Sequence, residues 1–467
     1  MSSDLYNSFL SKNPSIQDRF DQGKAIRKQV NRSSLAEMTV VKKRQTPIDL
    51  LLDQAKTRIP EYVPIRHARM AANPFAFFRG GAAIFAYDLS TLPSPPISVQ
   101  LGGDMHVSNF GFFSTTEHRL VFGINDFDET LPGHFDWDLK RLTASAMIAA
   151  HGLGQDQAYG ESIVRAIVKT YRQYLLEYAH TPYIELMRTY IDEKHLLKHA
   201  INANVFSQKT LAKILLKAKK NTNTGVIGKL TKSTPEGQRL IDHPPLVEHI
   251  EISIHGRKIT ALLDAALNTY TQSLLVDRRN LLMRYKIIDW VRKVVGVGSV
   301  GTSCWVIYFE GLDASDPLFL QVKEAQASVL APYFPHTPFA THGERVVTGQ
   351  HLIQGAPDPF LGFGSTLEND LYIRQLRDMK GGISIGEGGI DVHEFPDFAK
   401  LFGWALANAH ARSGDPAVLA GYCGQSEALD DAMVQFSIAY AQQNASDYET
   451  FLLAIKSGKV SCATRDF

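Results

Sequence analysis

The sequence predicts an α+β protein with two lobes, one mainly helical and the other a small antiparallel β lobe. Residues 155–289 follow helical spacing, most clearly at residues 159–178. Residues 291–325 instead alternate strand-like runs with a glycine loop and a polar turn. A chain of 467 residues with 44% hydrophobic content is long enough for two or three lobes of roughly 100–200 residues each.

Composition restricts the class of partner. The chain has 49 Lys and Arg against 48 Asp and Glu, so it lacks the basic surplus that nucleic-acid or anionic-membrane binding favours. Three widely spaced cysteines, Cys304, Cys423 and Cys462, predict neither a disulfide framework nor a CxxC metal site. The N-terminus lacks the apolar core of a signal peptide, and no apolar run approaches the ~18 residues of a membrane span. We therefore expect a cytoplasmic protein, and the sequence predicts no oligomeric state.

The first chemical motif is GDMHVSN at residues 103–109, directly after a strand-like run at residues 97–101. Asp104 precedes Asn109 by five positions. An aspartate in such a loop can orient a hydroxyl and accept its proton, and an asparagine oxygen can hold Mg²⁺. Asp104 and Asn109 are therefore predicted to be catalytic, while a loop-stabilising role is favoured over general-base catalysis for His106.

Two further carboxylates follow in INDFDE at residues 124–129. Strand-like runs at residues 110–113 and 119–124 predict a β-hairpin that would carry these carboxylates back towards the first motif. Asp126 is predicted to bind Mg²⁺ and to be essential for catalysis. Asp128 is either a second metal ligand or the cap of the next turn.

Asp138 lies just before an amphipathic helix predicted at residues 139–153. An aspartate at a helix start commonly caps the helix. We therefore favour capping or structural hydrogen bonding over catalysis at this position.

A glycine loop, GVGSVG at residues 296–301, opens the predicted β lobe. The pattern GxGxxG also occurs in dinucleotide-binding proteins, but there a helix follows the glycines. Residues 302–309 are rich in β-branched and aromatic side chains and predict a strand instead. The loop is therefore predicted to be the tip of a β-hairpin that covers nucleotide phosphates. The residues predicted to bind the nucleotide are Gly296, Gly298, Ser299 and Gly301.

Lys323 lies in an apolar run after this hairpin, LFLQVKEA. Beside a phosphate-binding loop, it is predicted to bind the α- and β-phosphates of a nucleotide and to be essential for catalysis. The alternative is an exposed position on an edge strand.

The glycine loop, Lys323 and a helix containing Glu344 resemble the small lobe of the protein-kinase-like fold. GDMHVSN and INDFD resemble the catalytic and metal-binding loops of its large lobe, as in aminoglycoside and choline phosphotransferases. The resemblance implies that Glu344 pairs with Lys323 at the nucleotide site and that Asp138 supports the catalytic loop. Gly102 departs from the kinase pattern, because kinases commonly have histidine there.

The order of the two lobes is reversed, so the chain resembles a circular permutant of the kinase-like fold. The resemblance implies four segments. They are an N-terminal polar and helical segment (1–60), a large-lobe part with the catalytic and metal loops and a helical insert (61–290), the small β lobe (291–380) and a helical return to the large lobe (381–467). Permutation is physically permissible where chain ends lie close together at a surface.

Longer motifs also resemble a bacterial domain-of-unknown-function family, number 2252. They include NPFAFFRGGA, GDMHVSNFG, NDFDETLPGHFDWDLKRL, YIRQLRDMKGG and ALANAHARSGD. This resemblance spans nearly the full chain and implies a family without implying a substrate.

The expected function is an ATP- and Mg²⁺-dependent phosphotransferase that acts on a hydroxyl of an unidentified acceptor, which we expect to be a small molecule. The alternatives are a catalytically silent nucleotide-binding regulatory module and an AMP transferase. A metallophosphoesterase is less favoured, because such a site needs further ligands, notably an Asn-His pair, and the chain has no Asn-His dipeptide.

The acceptor pocket is expected to be shaped by the N-terminal segment and by residues 155–289. Arg79, in the aromatic-rich sequence FFRGGA, can either clamp an anionic substrate or tie its loop to a carboxylate. The role of His410 is left open.

Overall fold

Helices and antiparallel sheets in a computed structural model of the chain confirm the α+β class. The structure describes residues 6, 7, 9–39, 43–197, 208–235, 237–253, 255–294, 296–335, 338–386 and 389–464. No helix in these ranges is long and apolar enough to cross a bilayer.

Helices dominate the N-terminal region. Ser15, Thr46 and Asn73 each precede a helix, and the side chain of each accepts a backbone N–H of the first turn. The helices here are α1 (Ile16–Ile26), α2 (Pro47–Ala55), α3 (Val63–Ala71), α4 (Pro74–Gly80) and α5 (Ala82–Leu89).

The predicted hairpin after the first motif is present. Its two strands pair antiparallel, with Phe112 opposite Phe122. The following helix begins at Phe135, so Asp138 lies in its first turn and is not its cap. This region contains β1 (Ser98–Leu101), β2 (Phe110–Ser114), β3 (Leu120–Ile124), β4 (Leu131–His134), α6 (Phe135–Gly152), α7 (Gln157–Tyr178), α8 (Tyr183–Met187) and β5 (Ile191–Asp192).

Residues 208–282 are not purely helical, since two short strands pair with each other and a third joins the sheet that follows. The elements are α9 (Gln208–Lys219), α10 (Asn223–Leu230), β6 (Thr231–Thr234), β7 (Gly237–Leu240), β8 (Val247–Glu248), α11 (Ile259–Ser273) and α12 (Val276–Leu282).

A six-stranded antiparallel sheet in the order β12-β13-β11-β10-β9-β8 forms the β lobe. Lys323 lies on β11, between β10 and β13, with Cys304 and Tyr372 as its cross-strand neighbours. It is therefore not on an edge strand. The elements are β9 (Lys286–Lys293), β10 (Cys304–Glu310), β11 (Pro317–Glu324), α13 (His342–Gln354), β12 (Gly362–Ser365) and β13 (Asp370–Gln375).

Strand β9 crosses the predicted segment boundary at residues 290 and 291, because pairing with β10 starts it at Lys286. Helix α11 also packs on this sheet, where Tyr270, Leu320 and Ile373 share a buried apolar cluster. The β lobe thus includes α11 and the start of β9, which the sequence had assigned to the helical insert.

The C-terminal region is helical and completes the main core. Every side chain from Leu401 to Ala411 is buried, and the helix that carries them packs against α7. The elements are β14 (Gly381–Gly382), α14 (Phe395–Phe398), α15 (Lys400–Ser413), α16 (Pro416–Cys423) and α17 (Ala428–Lys456). β14 joins β2, β3 and β5 in a four-stranded sheet, and β1 pairs with β4.

Arg44 connects the N-terminal region to the main core. Its guanidinium contacts Asp88 at 2.6 Å and Asp447 at 2.7 Å, joining the start of α2 to α5 and α17. The three side chains are 10%, 4% and 7% exposed. One buried cation thus compensates two buried carboxylates.

Replacing Arg44 by Met should lower the free energy of unfolding by about 3–5 kcal/mol, because two buried carboxylates lose their cation. Urea denaturation measures this change. The matched control is Lys56→Met, which breaks an exposed ion pair with Asp53 and should cost less than about 1 kcal/mol. Equal effects for the two variants would contradict the proposed anchoring.

Candidate functional site

One cavity brings together the residues of two motifs that are far apart in the sequence. The glycine loop contacts the metal loop directly, since the Ser299 hydroxyl donates to Asp128 Oδ2 at 2.9 Å across 171 positions of chain. The predicted residues that line this cavity are Asp104, Asn109, Asp126, Asp128, Gly296, Gly298 and Ser299.

Asp138 holds the catalytic loop from behind. Its carboxylate accepts the backbone N–H groups of Gly102 at 2.7 Å and Gly103 at 3.0 Å. His410 Nε2 lies 3.4 Å from the same carboxylate, and the Tyr171 hydroxyl lies 2.8 Å from His410 Nδ1. Gly103 has a φ of +86°, a left-handed conformation that favours glycine. Asp138 is thus a structural hydrogen-bond acceptor, with His410 as its support.

Asp104 is paired with an arginine that the motifs did not indicate. The Arg141 guanidinium contacts Asp104 Oδ1 at 2.6 Å and lies 4.1 Å from the centroid of the Phe78 ring. Arg141 is 1% exposed and also donates to the Phe78 carbonyl at 2.9 Å. It stands three residues after Asp138 on α6, so one helix face supplies both supports of the loop. That spacing is the signal that could have found it.

His106 is buried beside Asp104, with its Nε2 3.6 Å from Asp104 Oδ2. Its Nδ1 has no hydrogen-bond partner among the residues that the structure describes. Burial lowers the pKa of His106 to about 3, so the ring is neutral at neutral pH and a weak proton acceptor. The environment therefore favours the loop-stabilising role over general-base catalysis.

Asn109 and Asp126 present oxygen atoms to the cavity. Asn109 Nδ2 donates to the Asp104 carbonyl at 2.7 Å, which leaves the amide oxygen available as a ligand. Within the described ranges, no group of three His, Cys, Asp or Glu side chains could hold a metal ion. A cation here would need further ligands, and Mg²⁺ takes them from water and substrate phosphates. The pair of oxygen donors fits that requirement.

Lys323 forms an ion pair with Asp128 and not with Glu344. Its Nζ lies 2.9 and 2.7 Å from the two carboxylate oxygens, and the Tyr372 hydroxyl also donates to Oδ1. Burial favours the neutral forms, yet the pairing raises the pKa of Lys323 and lowers that of Asp128. Lys323 is 3% exposed and is not one of the cavity-lining residues. Asp128 is thus neither a free metal ligand nor a turn cap.

The predicted pair between Lys323 and Glu344 is wrong for a local reason. Glu344 lies in the first turn of α13, where its Oε2 accepts the Ala340 N–H at 2.8 Å and its own N–H is capped by Thr341 at 3.1 Å. The Glu344 carboxylate is thus engaged by a backbone N–H just before the helix start, next to the N-cap Thr341.

Gly301 also departs from its predicted role as a nucleotide ligand. It is not among the residues lining the cavity, and its carbonyl accepts the Ile59 N–H at 2.7 Å. Its φ is +94°, and an added Cβ would lie 2.9 Å from the Cβ of Arg58. Gly301 thus lets the end of the glycine loop pack against the N-terminal segment.

Three cations from the β lobe and the chain after it bind the backbone of the metal loop, and sequence reasoning did not assign them. Arg345 donates to the carbonyls of Thr130 at 2.6 Å and Asp128 at 2.9 Å. Arg374 and Lys380 each lie 3.3 Å from the Asn125 carbonyl. The signal for the last two was the run of cations in YIRQLRDMK, within and just after a strand whose central residues are buried.

The remaining wall of the cavity comes from both the N-terminal region and the β lobe. Residues of the N-terminal segment line it, whereas no described residue of 155–289 does. Which part of the chain shapes an acceptor pocket stays a prediction. The additional lining side chains include Gln54, Thr57, Arg58, Arg79 and Glu129.

Comparison with known proteins supports the longer motifs. A family model described as "Uncharacterized protein conserved in bacteria (DUF2252)" matches residues 58–454, which confirms the predicted family resemblance. No curated protein and no solved structure matches the chain.

A double-mutant cycle tests the ion pair. Lys323→Met and Asp128→Asn should show a coupling energy of about 1–3 kcal/mol in chemical denaturation, because the two side chains share one contact. Lys323→Met combined with Glu344→Gln is the matched control and should be additive within about 0.5 kcal/mol. Coupling only in the second cycle would restore the predicted kinase-like pair.

His106 predicts a pH dependence of stability. Between about pH 6.5 and pH 3 the unfolded chain binds a proton at this residue and the folded chain does not. The free energy of unfolding therefore decreases as the pH falls through this range. From pH 7 to pH 5, the free energy of unfolding should fall by about 2 kcal/mol more in the wild type than in His106→Gln. Urea denaturation at both pH values measures this difference. Parallel losses in the two proteins would show that His106 titrates normally when folded.

Proposed function

The chain belongs to the bacterial family DUF2252, and from its cavity we propose an ATP- and Mg²⁺-dependent phosphotransferase that acts on a hydroxyl-bearing acceptor. The observation that carries this proposal is the meeting of the glycine loop with the Asp104, Asn109 and Asp126 cluster around one cavity. A glycine-rich hairpin, oxygen ligands for Mg²⁺ and an aspartate facing the acceptor are the recurring parts of such sites.

The kinase-like, circularly permuted fold is part of the proposal. Its support is an antiparallel sheet with Lys323 on an inner strand, a helix α13 beside that sheet, and a catalytic loop that precedes both in the chain. In this arrangement the small lobe follows the catalytic loop in sequence and faces it across the cavity.

Each residue has a task in the proposed reaction. Bound Mg²⁺ would supply positive charge to the phosphates, with Asn109 and Asp126 as its protein ligands. Backbone at Gly296 and Gly298 can approach phosphate oxygens closely, since no side chain intervenes. Asp104 orients the acceptor hydroxyl and receives its proton as that oxygen bonds to the γ-phosphorus and the bond to the ADP oxygen breaks.

Lys323 acts through Asp128 in the arrangement that we observe. Its ammonium neutralises this carboxylate at the edge of the cavity, and it can reach a phosphate only if Asp128 gives up the contact. This observation favours one second candidate, a nucleotide-binding regulatory module without turnover. Transfer of AMP in place of phosphate is separated from both by the position of a radiolabel, α or γ, on ATP.

Asp126→Asn should abolish Mg²⁺-dependent ATP binding in isothermal titration calorimetry and reduce γ-phosphoryl transfer, to acceptor or to water, by about 100-fold or more. The matched control is Asp264→Asn at an exposed position of α11, which should leave both unchanged. Binding without turnover in the wild type would favour the regulatory module. Parental activity in Asp126→Asn would refute the assigned site.

A further inference from the structure

Arg79 presents an unpaired guanidinium to the cavity. Among the residues described, its side chain has neither a hydrogen-bond partner nor an ion-pair partner, and its Nε is buried without one. Arg58, the other arginine in the cavity wall, instead donates to the Val300 carbonyl. The Arg58 Nε also has no partner, but Arg79 differs in that none of its guanidinium nitrogens bonds a described residue.

The surroundings of Arg79 are anionic, yet neither carboxylate pairs with it. Burial lowers its pKa, while the charges of Asp104 and Asp126 raise it. Asp104 is already paired with Arg141, which explains why it does not neutralise Arg79 as well. The alternative that Arg79 ties its loop to a carboxylate is thus not what the structure contains.

The backbone around Arg79 is held firmly on three sides. Arg66 donates to the Gly80 carbonyl at 2.7 Å, Arg141 to the Phe78 carbonyl at 2.9 Å, and Asn444 to the Pro74 carbonyl at 3.1 Å. Such anchoring reduces the entropy lost when the side chain engages a ligand.

Arg79 also lies next to the glycine loop. Its carbonyl oxygen would be 3.9 Å from a Cβ added at Gly298. Arg79 therefore lies on a helix next to the proposed phosphate-binding loop and lines the same cavity as Asp104 and Asp126.

We propose that Arg79 binds an oxyanion at the point of phosphoryl transfer, an inference that rests on the proposed function. A partly buried cation without a partner costs free energy, and a bound oxyanion would reduce that cost. The planar guanidinium matches two oxygens of one phosphoryl or carboxylate group. Because Arg79 lies beside the glycine loop and lines the same cavity as Asp104 and Asp126, the terminal phosphoryl group of the nucleotide fits better than an anionic group of the acceptor.

Calorimetric titrations with Mg²⁺ present test the source of the oxyanion. Arg79→Met should weaken ATP binding by about tenfold or more and leave ADP binding within about twofold, since charge-assisted hydrogen bonds to the terminal phosphoryl are lost. The ATP affinity of Arg79→Lys should lie between that of the wild type and that of Arg79→Met. The control is Arg165→Met, which removes an exposed partner of Asp431 and should change neither affinity.

Other outcomes are equally decisive. If ATP affinity is unchanged but inorganic phosphate no longer binds the ADP-loaded protein, the oxyanion belongs to the acceptor. Unchanged affinity for ATP, ADP and phosphate overturns the assignment. A wild type that binds no nucleotide refutes the proposed function instead, and a rise in Tm with tripolyphosphate that Arg79→Met lacks then supports Arg79 independently.

Stability distinguishes ligand binding from a structural role. Without ligand, Arg79→Met should have a Tm equal to or above that of the wild type, because no hydrogen bond or ion pair with a described residue is lost. A clear fall in Tm would mean that Arg79 supports the fold, and the oxyanion assignment would fail.

Discussion

The carboxylate of Asp128 is the point on which the arrangement of the cavity depends. It accepts hydrogen bonds from Lys323 on β11, Tyr372 on β13 and Ser299 in the glycine loop. Its backbone carbonyl is bound by Arg345 of α13. Four segments of the β lobe therefore converge on one residue of the metal loop. Since a desolvated charge is costly unless it is paired, loss of one of these partners would leave charge uncompensated where the β lobe meets the metal loop.

On the opposite wall of the cavity, charged side chains also fix the position of a loop. Both of the side chains that hold the catalytic loop come from one helix. The first turn of α6 places Asp138 under the backbone of the catalytic loop, and the next turn places Arg141 on Asp104. The geometry of the loop is thus set by side chains behind it, and its residues Asp104, His106 and Asn109 line the cavity. A substrate hydroxyl would meet a carboxylate whose position is already determined, which reduces the reorganisation needed during reaction.

Charge is distributed unevenly around this cavity. Asp104 and Asp128 each have a buried cation, whereas Asp126 has no ion-pair partner in the described part of the chain. Arg79 likewise has no internal partner. An unpaired carboxylate and an unpaired guanidinium in one wall are complementary to a ligand that carries both signs, such as a metal-bound phosphate. This complementarity supports the proposed phosphotransferase more specifically than the presence of a cleft does.

Local features of the chain were readable from the sequence because short-range geometry governs them. The β2–β3 hairpin, the hairpin that bears the glycine loop, and the loop that spaces Asp104 from Asn109 each involve residues that are close in sequence. Alternating apolar residues and turn residues are sufficient to indicate them. The family resemblance rests on the same local motifs.

Pairings between distant segments were not readable in this way. Lys323 is 195 positions from Asp128 in the sequence. The local sequence around a strand lysine does not indicate which distant carboxylate will pair with it. Glu344 was the expected partner, but its carboxylate accepts the Ala340 N–H at the start of α13. Gly301 was predicted to bind the nucleotide, but in the structure it packs closely against Arg58. Which charges neutralise one another is settled only when the lobes pack, because the contact energy depends on burial and distance in three dimensions.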